Sequence, residues 1–322
     1  MDMYVAKTRF QPFAAFWRGE GANVNFYIAG SLELRFQKDM RGSAWFLTRS
    51  LEGQDEIESE DSLFSFARDV LMEFAPAGKI NHVELIKKSM FSAGLKYRRV
   101  WRGVFGASEE VCFLPFPKND FDDYKYMIRA ARNASELFGE FTNSFRYLEP
   151  HTDNYESYSN KLRELLMLAC TEIEANFIGV LRSNGLRSMG TNYNTGDFIR
   201  LIDVLHLRSW GASLKLRSGC GNVYPFREWD AVKPTRSLIW YDAYNKVKHD
   251  SFENLSKANF HNVYRAMSAL YVLLLAQWGL NVFDELGLRV PFYAVSRPDF
   301  DIVEIPVAIA TDSEPQYAPL SV

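Results

Sequence analysis

The chain lacks the features that mark a secreted or membrane protein. Its three cysteines, Cys112, Cys170 and Cys220, lie far apart and form no CxxC pair, which excludes a disulfide framework and a thiolate zinc site. The first ten residues, MDMYVAKTRF, contain no apolar signal core. The longest apolar run, Ala266–Ala276, is too short to span a bilayer. We therefore expect a soluble cytoplasmic protein with no membrane partner.

Several motifs of enzyme chemistry are also missing. The sequence contains neither GxxxxGK[ST] nor GxGxxG, so no glycine-rich loop for a nucleotide phosphate is expected. It contains no GxSxG nucleophile elbow. His82, His151 and His261 stand singly, without the close His, Asp or Glu spacing of a metal site. The sequence therefore predicts no metal and no cofactor.

What the chain has is apolar and aromatic material with an uneven charge. Hydrophobic residues make up 47% of its 322 residues, which is enough apolar surface for one large core or two smaller ones. The net charge is −3. Residues 52–61 hold six acids and no base, whereas residues 182–222 hold six Arg or Lys against two Asp. The slightly acidic whole argues against bulk binding of nucleic acid. The basic stretch is either an ordinary solvated loop or a loop that contacts phosphates.

The first third of the chain shows β signals mixed with helical ones. Alternation predicts a hairpin at Asn23–Phe36 around a Gly-Ser turn, with Ala44–Thr48 pairing beside it. A helix over Ser62–Phe74 is expected, capped by Asp61 or Ser62. A short helix is expected at Asn81–Phe91, and a second hairpin from the β-rich runs Tyr97–Phe105 and Val111–Phe116.

From about residue 122 the apolar period becomes helical. The predicted helices are Asp123–Leu148, a helix capped by Ser159 with an apolar stripe from Leu162 to Val180, a short helix near Asp197–Leu205, Ser237–His249, and an almost wholly apolar, central helix at Ser256–Trp278. The fold class predicted is α+β. It comprises a mixed α/β region with β-hairpins over residues 1–122, a helical bundle over 123–290 and an acidic, partly extended tail over 291–322.

The segment WYDAYNKVKHD, residues 240–250, carries the most chemical information. On a helix, Trp240, Tyr241, Tyr244 and Val247 share a packing side, while Leu238, Asp242, Asn245 and His249 share the other side. Asn245 and His249 are one turn apart. An imidazole titrates near neutrality and suits acid–base catalysis, and Lys246 and Lys248 add positive charge. The alternative is that His249 only caps the negative end of the helix dipole.

The motif YNKVKHD, between two long helices, resembles the signature of HEPN domains (higher eukaryotes and prokaryotes nucleotide-binding). That signature is an Arg, usually followed by a polar residue such as Asn, and then a His a few residues later. Asn245 and His249 match the polar position and the His, but Tyr244 stands where the family has its Arg. The resemblance covers at most residues 123–280, and it implies an all-α bundle that is often a dimer.

The resemblance implies a metal-independent ribonuclease, or a degenerate relative of one, in prokaryotic phage defence or a toxin–antitoxin system. In this hypothesis His249 moves a proton at the ribose 2′-hydroxyl or the leaving oxygen, Asn245 orients the phosphate, and Asp242 completes the catalytic set. Lys248 or Arg200 supplies the cation that the family's Arg otherwise provides. The competing hypothesis is a non-enzymatic scaffold whose bundle dimerises or binds a partner protein.

Two further interpretations concern polar residues outside this helix. Glu172 and Asn176 project from the long helix and are expected to hydrogen-bond across the bundle to Asn245 or His249, as support for the site or as contacts that specify the fold. Arg200 has family-like spacing to His206, but Leu201 follows it where a polar residue is expected.

A basic and aromatic segment, residues 96–102, is the remaining candidate. As a strand it would place Lys96, Arg98, Val100 and Arg102 on one face, and Tyr97, Arg99 and Trp101 on the other. Interleaved rings and cations can follow a single nucleic-acid strand. Arg98, Arg99, Trp101 and Arg102 are therefore candidate RNA contacts, and an ordinary half-buried strand is the alternative.

Overall fold

A computed structural model describes most of the chain. The residues it describes are 2–10, 13–29, 44–50, 59–75, 78–102, 121–215, 218–307 and 316–320. The fold is α+β, as the sequence predicts, with an antiparallel sheet towards the N-terminus and helices after residue 120. In this part of the chain, every helix is too short or too polar to span a bilayer.

The described chain divides into two compact units. The first comprises Met1–Lys96, Arg102–Asp120 and Phe300–Ala318, and the second comprises Tyr97–Trp101, Phe121–Asp299 and Pro319–Val322. Residues 291–322, set apart as a tail in the sequence analysis, are thus divided between the two units.

The first unit is built on a five-stranded antiparallel sheet. Its strands are β1 (Met3–Thr8), β2 (Phe13–Arg18), β3 (Asn23–Ala29), β4 (Ala44–Ser50) and β5 (Val83–Lys88), in the order β4-β3-β2-β1-β5. Alternate residues such as Phe16 and Phe26 pack on helix α1 (Glu60–Met72) through Phe66 and Leu71, as the period of two requires. The predicted pairing of Ala44–Thr48 with the preceding strand is confirmed.

Two predictions in this unit need correction. The helix expected at Asn81–Phe91 is strand β5, because Val83–Lys88 pairs along β1 and that non-local pairing outweighs a weak local helical pattern. The cap of α1 is Ser59, whose Oγ accepts from the Ser62 amide at 3.1 Å. The Gly-Ser turn after Ala29 and the run Val111–Phe116 lie outside the described residues.

Chain from near the C-terminus completes the first unit. The amide of Met90 donates to the Val303 carbonyl at 2.9 Å, and that of Gly94 to the Val307 carbonyl at 3.0 Å. Strands β6 (Leu95–Lys96) and β9 (Gln316–Tyr317) pair in parallel. The 3₁₀ turn Ile302–Glu304 is closed by Asp301, whose side chain caps it.

The second unit is a helical bundle with smaller elements around it. Its long helices are α2 (Phe121–Ser144), α3 (Asn160–Ser183), α5 (Ile239–His249) and α7 (Phe260–Trp278). The shorter elements are α4 (Thr195–Phe198), α6 (Ser251–Asn254), α8 (Val282–Glu285), and the antiparallel strands β7 (Gly211–Leu214) and β8 (Phe292–Ser296). Helix α7 packs on α2, α3 and α5.

The strongest helical predictions are confirmed in this unit. Ser159 caps α3, its Oγ accepting from the Leu162 amide at 3.2 Å, and the predicted stripe from Leu162 to Val180 is buried. Helix α7 is central, since all of its residues except His261 and Arg265 are buried.

The chain at residues 97–102 is not a strand, so that prediction is wrong. Arg99 has a φ of 55°, in the left-handed region, which interrupts an extended run. The amide of Trp101 donates to the Ala276 carbonyl at 2.9 Å, near the end of α7. Residues Tyr97–Trp101 therefore belong to the helical unit.

Candidate functional site

Helix α5 separates a packing side from a polar side. Trp240, Tyr241, Tyr244 and Val247 are all buried, as their shared helix face predicts. On the other side, Asp242 and Asn245 are half-buried, whereas Lys246 and His249 are exposed. The polar residues fall at intervals of three and four, so they form one stripe along the helix.

His249 occupies the last turn of α5 and its side chain is exposed. Across the described part of the chain, neither ring nitrogen has a hydrogen-bond or ion-pair partner. The neighbouring Asp250 has a different role: its Oδ1 accepts from the amides of Phe252 at 3.2 Å and Glu253 at 3.1 Å, and so caps α6. The imidazole is therefore accessible, in the last turn of α5.

The other two polar residues of the stripe are engaged within their own helix. The Asn245 amide nitrogen donates to the Tyr241 carbonyl at 3.1 Å. The Asp242 carboxylate pairs with Lys246 at 2.7 Å. Both contacts are local and partly solvent-exposed, so a ligand could replace them at small cost.

The packing side of α5 holds a polar cluster that the sequence analysis missed. The Tyr241 hydroxyl donates to Glu174 Oε1 of α3 at 2.6 Å, and Lys248 Nζ donates to the Tyr244 hydroxyl at 3.1 Å. The Lys248 ammonium also lies 5.1 Å from the Tyr244 ring centroid. Only the assembled bundle brings Glu174 to Tyr241, because these residues are 67 positions apart.

The pKa values in this cluster follow from burial. Burial, together with the hydrogen bond to Glu174, raises the pKa of Tyr241. Burial also raises the pKa of Tyr244, and the bond to Tyr244 raises that of Lys248. Cys170, fully buried beside these groups, has a pKa well above the usual thiol value because burial disfavours the thiolate. These hydroxyls and the thiol are therefore protonated at neutral pH.

Glu172 and Asn176 do not reach α5, which corrects the prediction of bonds to Asn245 or His249. Glu172 Oε1 accepts from Asn133 of α2 at 3.3 Å. Asn176 Oδ1 accepts from Arg99 and Gln277, each at 3.4 Å. The two side chains face α2 and α7, because 100° per residue turns them away from the face of α3 that carries Glu174.

Most side chains of the basic segment, residues 96–102, are buried or paired with other residues of the protein. Arg99 is buried: its guanidinium donates to Gln277 Oε1 at 2.8 Å and lies 5.0 Å from the Trp278 ring centroid. Burial lowers the pKa of Arg99 to about 10. Arg98 pairs with Asp123 at 2.9 Å, and Trp101 packs on Trp210 with ring centroids 5.9 Å apart.

Arg102 is also buried, with its guanidinium 5.3 Å from the Phe300 ring centroid in the first unit. Arg99 and Arg102 are thus removed from the surface that an RNA strand could reach. The alternation of charges in the sequence reflected two buried cations that need partners, which periodicity alone does not reveal.

Arg200 lies in a 3₁₀ turn after α4, where its Nη1 donates to the Arg187 carbonyl at 3.3 Å. None of its hydrogen bonds within the described ranges reaches α5. Lys246, one turn before His249, is the cation that the structure places on the same helix face as the imidazole.

Among the described residues, no group of three or more His, Cys, Asp or Glu is arranged to hold a metal ion. No family model matches this chain, and no curated protein or solved structure matches it either.

Proposed function

We propose that the helical unit is a HEPN-like domain that acts on RNA in the cytoplasm, with His249 as its proton-transfer residue. The observation that supports this proposal is the accessible, unpartnered imidazole of His249, with Asn245 and Lys246 one turn earlier on the same helix. A buried imidazole engaged by its own chain could not perform this role, whereas an exposed one can approach a ligand.

The proposed reaction is transesterification within the RNA chain. The ribose 2′-oxygen attacks the adjacent phosphorus while the bond from phosphorus to the 5′-oxygen breaks, which leaves a 2′,3′-cyclic phosphate and a 5′-hydroxyl. Neutral His249 of one copy takes the proton from the 2′-hydroxyl. The protonated His249 of a second copy donates a proton to the leaving 5′-oxygen. Two copies therefore supply the base and the acid of one cleft.

The remaining roles fall to the polar stripe of α5. When RNA binds, the Asn245 side-chain amide exchanges its hydrogen bond to the Tyr241 carbonyl for one to a phosphate oxygen, which it orients. Lys246 leaves Asp242 to stabilise the charge that develops on the phosphate. The guanidinium typical of the family is absent, because Tyr244 is buried at that position and its hydroxyl is bonded to Lys248. We therefore propose a slow or degenerate member of that class, in prokaryotic defence against phage or in a toxin system.

The experiment is incubation of the purified chain with total RNA, with and without a chelator. Wild-type protein should cleave RNA equally in both conditions, and His249→Ala should remain folded but inactive. His82→Ala is the matched control, because His82 is also exposed but lies in the first unit. Undiminished cleavage by His249→Ala would refute the role of His249.

A non-enzymatic scaffold is the second candidate, and a specific observation favours it. Two large apolar side chains near the ends of α5 are exposed, Ile239 with 61% and Phe252 with 91% of the surface accessible. Such residues serve as contact points for a partner protein or a second copy. Loss of self-association in a Phe252→Ser variant, together with no cleavage by the wild type, would favour this function.

A further inference from the structure

The loop after α3 is ordered by hydrogen bonds to a buried carboxylate. Helix α3 ends at Ser183 and is followed by Gly185, whose φ of +72° is in the left-handed region; the Leu186 amide donates back to the Leu181 carbonyl at 2.9 Å. The organiser of the loop is Asp197, which is fully buried. Its carboxylate accepts from the Met189 amide at 2.8 Å, the Asn194 amide at 3.0 Å and the Ser188 hydroxyl at 3.2 Å.

Three arginines, Arg182, Arg187 and Arg200, lie in or at the ends of this loop. Arg182 Cζ lies 5.4 Å from the ring centroid of Tyr193, and the Tyr193 hydroxyl donates to the Leu186 carbonyl at 2.8 Å. Arg200 donates to the carbonyl of the next residue, Arg187, at 3.3 Å. We call residues 182–200 the arginine loop.

The positive charge of the arginine loop is not balanced. Asp197 is its one acidic residue, and that carboxylate is buried among loop donors. The next acid, Asp203, pairs with Arg208 at 2.9 Å. Within the described ranges, no carboxylate forms an ion pair with Arg182, Arg187 or Arg200. Arg182 and Arg187 are exposed and Arg200 is half-buried, so solvent reaches all three.

We infer that the arginine loop binds the phosphates of single-stranded RNA, an inference that rests on the proposed function of the helical unit. Guanidinium groups bind phosphate through paired hydrogen bonds, and their planes stack on unpaired bases. The Arg182–Tyr193 stack and the exposed Met189 offer flat and apolar contacts to bases. An acidic protein segment would use the charge alone, so the stacked groups favour RNA.

Binding of a fluorescent single-stranded RNA, followed by anisotropy, tests this inference. The protein carries His249→Ala, so that the RNA stays intact. Adding Arg187→Ala and Arg200→Ala should weaken binding about tenfold near physiological salt and reduce the salt slope by about 1.4, because each lost phosphate contact removes about 0.7. The control adds Arg68→Ala and Arg146→Ala, which remove the same charge from exposed positions outside the arginine loop and should change affinity less than about twofold.

The Asp197→Asn variant distinguishes a site that depends on the conformation of the loop from a surface that binds RNA by its positive charge alone. It makes the chain more positive by one, so a purely electrostatic surface would bind RNA more tightly. We expect weaker binding, because one carboxylate oxygen that accepts loop amides becomes a donor. Circular dichroism checks that the variant is folded, and the arginine variants decide the question if it is not.

Equal effects of the two arginine pairs would overturn the inference, as would competition by polyglutamate as effective as competition by unlabelled RNA. The two proposals fail separately. Loop-dependent binding without cleavage by the wild type would contradict the ribonuclease but support the loop. His249-dependent cleavage with loop-independent binding would do the reverse.

Discussion

Whether replacing Gly179 by alanine raises or lowers the stability of the protein depends on one buried side chain, that of Arg99. It lies in α3, where replacing an internal glycine by alanine ordinarily stabilises a helix by about 1 kcal/mol. At this position a Cβ would meet the guanidinium of Arg99, 2.7 Å from its Cζ and 2.8 Å from its Nη2. The close approach of Arg99 to α3 therefore requires a residue without a Cβ.

The magnitude follows from what Arg99 would lose. Displacement breaks its 2.8 Å bond to Gln277, worth about 1.5–3 kcal/mol for a charged donor, and moves it off the Trp278 ring, worth about 1 kcal/mol. Helix propensity offsets about 1 kcal/mol of this loss. We expect Gly179→Ala to lower the free energy of unfolding by about 2 kcal/mol.

Urea denaturation of a double-mutant cycle measures the coupling. In an Arg99→Ala background the obstacle is gone, so Gly179→Ala should become neutral or stabilising by up to about 1 kcal/mol. Gly139→Ala is the matched control, since a Cβ at this exposed position of α2 meets nothing within 4 Å, and it should stabilise the wild type. Stabilisation by Gly179→Ala in the wild-type background would refute the placement of Arg99.

Three further predictions concern titratable groups that are buried or half-buried. The pKa of Tyr241 is raised, so its contribution to stability is present below the unfolded pKa near 10 and is lost as the pH rises. Tyr241→Phe should lower the free energy of unfolding by about 1–3 kcal/mol at pH 7, because Glu174 is left without its donor. The variant should also lose less stability at alkaline pH, as measured by urea denaturation at a series of pH values. His261 accepts from Arg265 at 3.0 Å, and burial and Arg265 lower its pKa to about 4. The wild type should lose stability as the pH falls from about 6.5 towards 4, and His261→Gln should lose less; parallel acid limbs would contradict this. The Cys170 thiol should resist alkylation until the chain unfolds, as mass spectrometry of its peptide can establish.

The helices of the second unit could be predicted because their signals are local. The apolar stripe of α3 and the oxygen of Ser159 lie within one stretch of sequence, and periodicity identifies both. Strand β5 could not be predicted in the same way, because its structure depends on pairing with β1, about 80 residues away in the chain.

In the candidate site, too, the local features could be predicted from the sequence and the long-range contacts could not. The common face of Asn245 and His249 follows from helical geometry alone. The bond from Tyr241 to Glu174 and the burial of Arg99 beside Gln277 join residues 67 and 178 positions apart. Only the folded bundle creates these contacts. The order that Asp197 imposes on the arginine loop also escaped prediction, because a Gly-, Ser- and Asn-rich stretch is typical of flexible loops.

The role that we propose for His249 is to move a proton in a reaction that uses the ribose 2′-hydroxyl. Its most direct test is cleavage of a defined RNA, in chelator, beside the same RNA carrying a single 2′-deoxynucleotide at the cleaved position. We predict that the wild type cuts the first RNA to a 2′,3′-cyclic phosphate and leaves the second intact, and that His249→Ala cuts neither. Cleavage of the deoxy-substituted RNA at the same position and rate, or an active His249→Ala variant, would contradict the proposed mechanism.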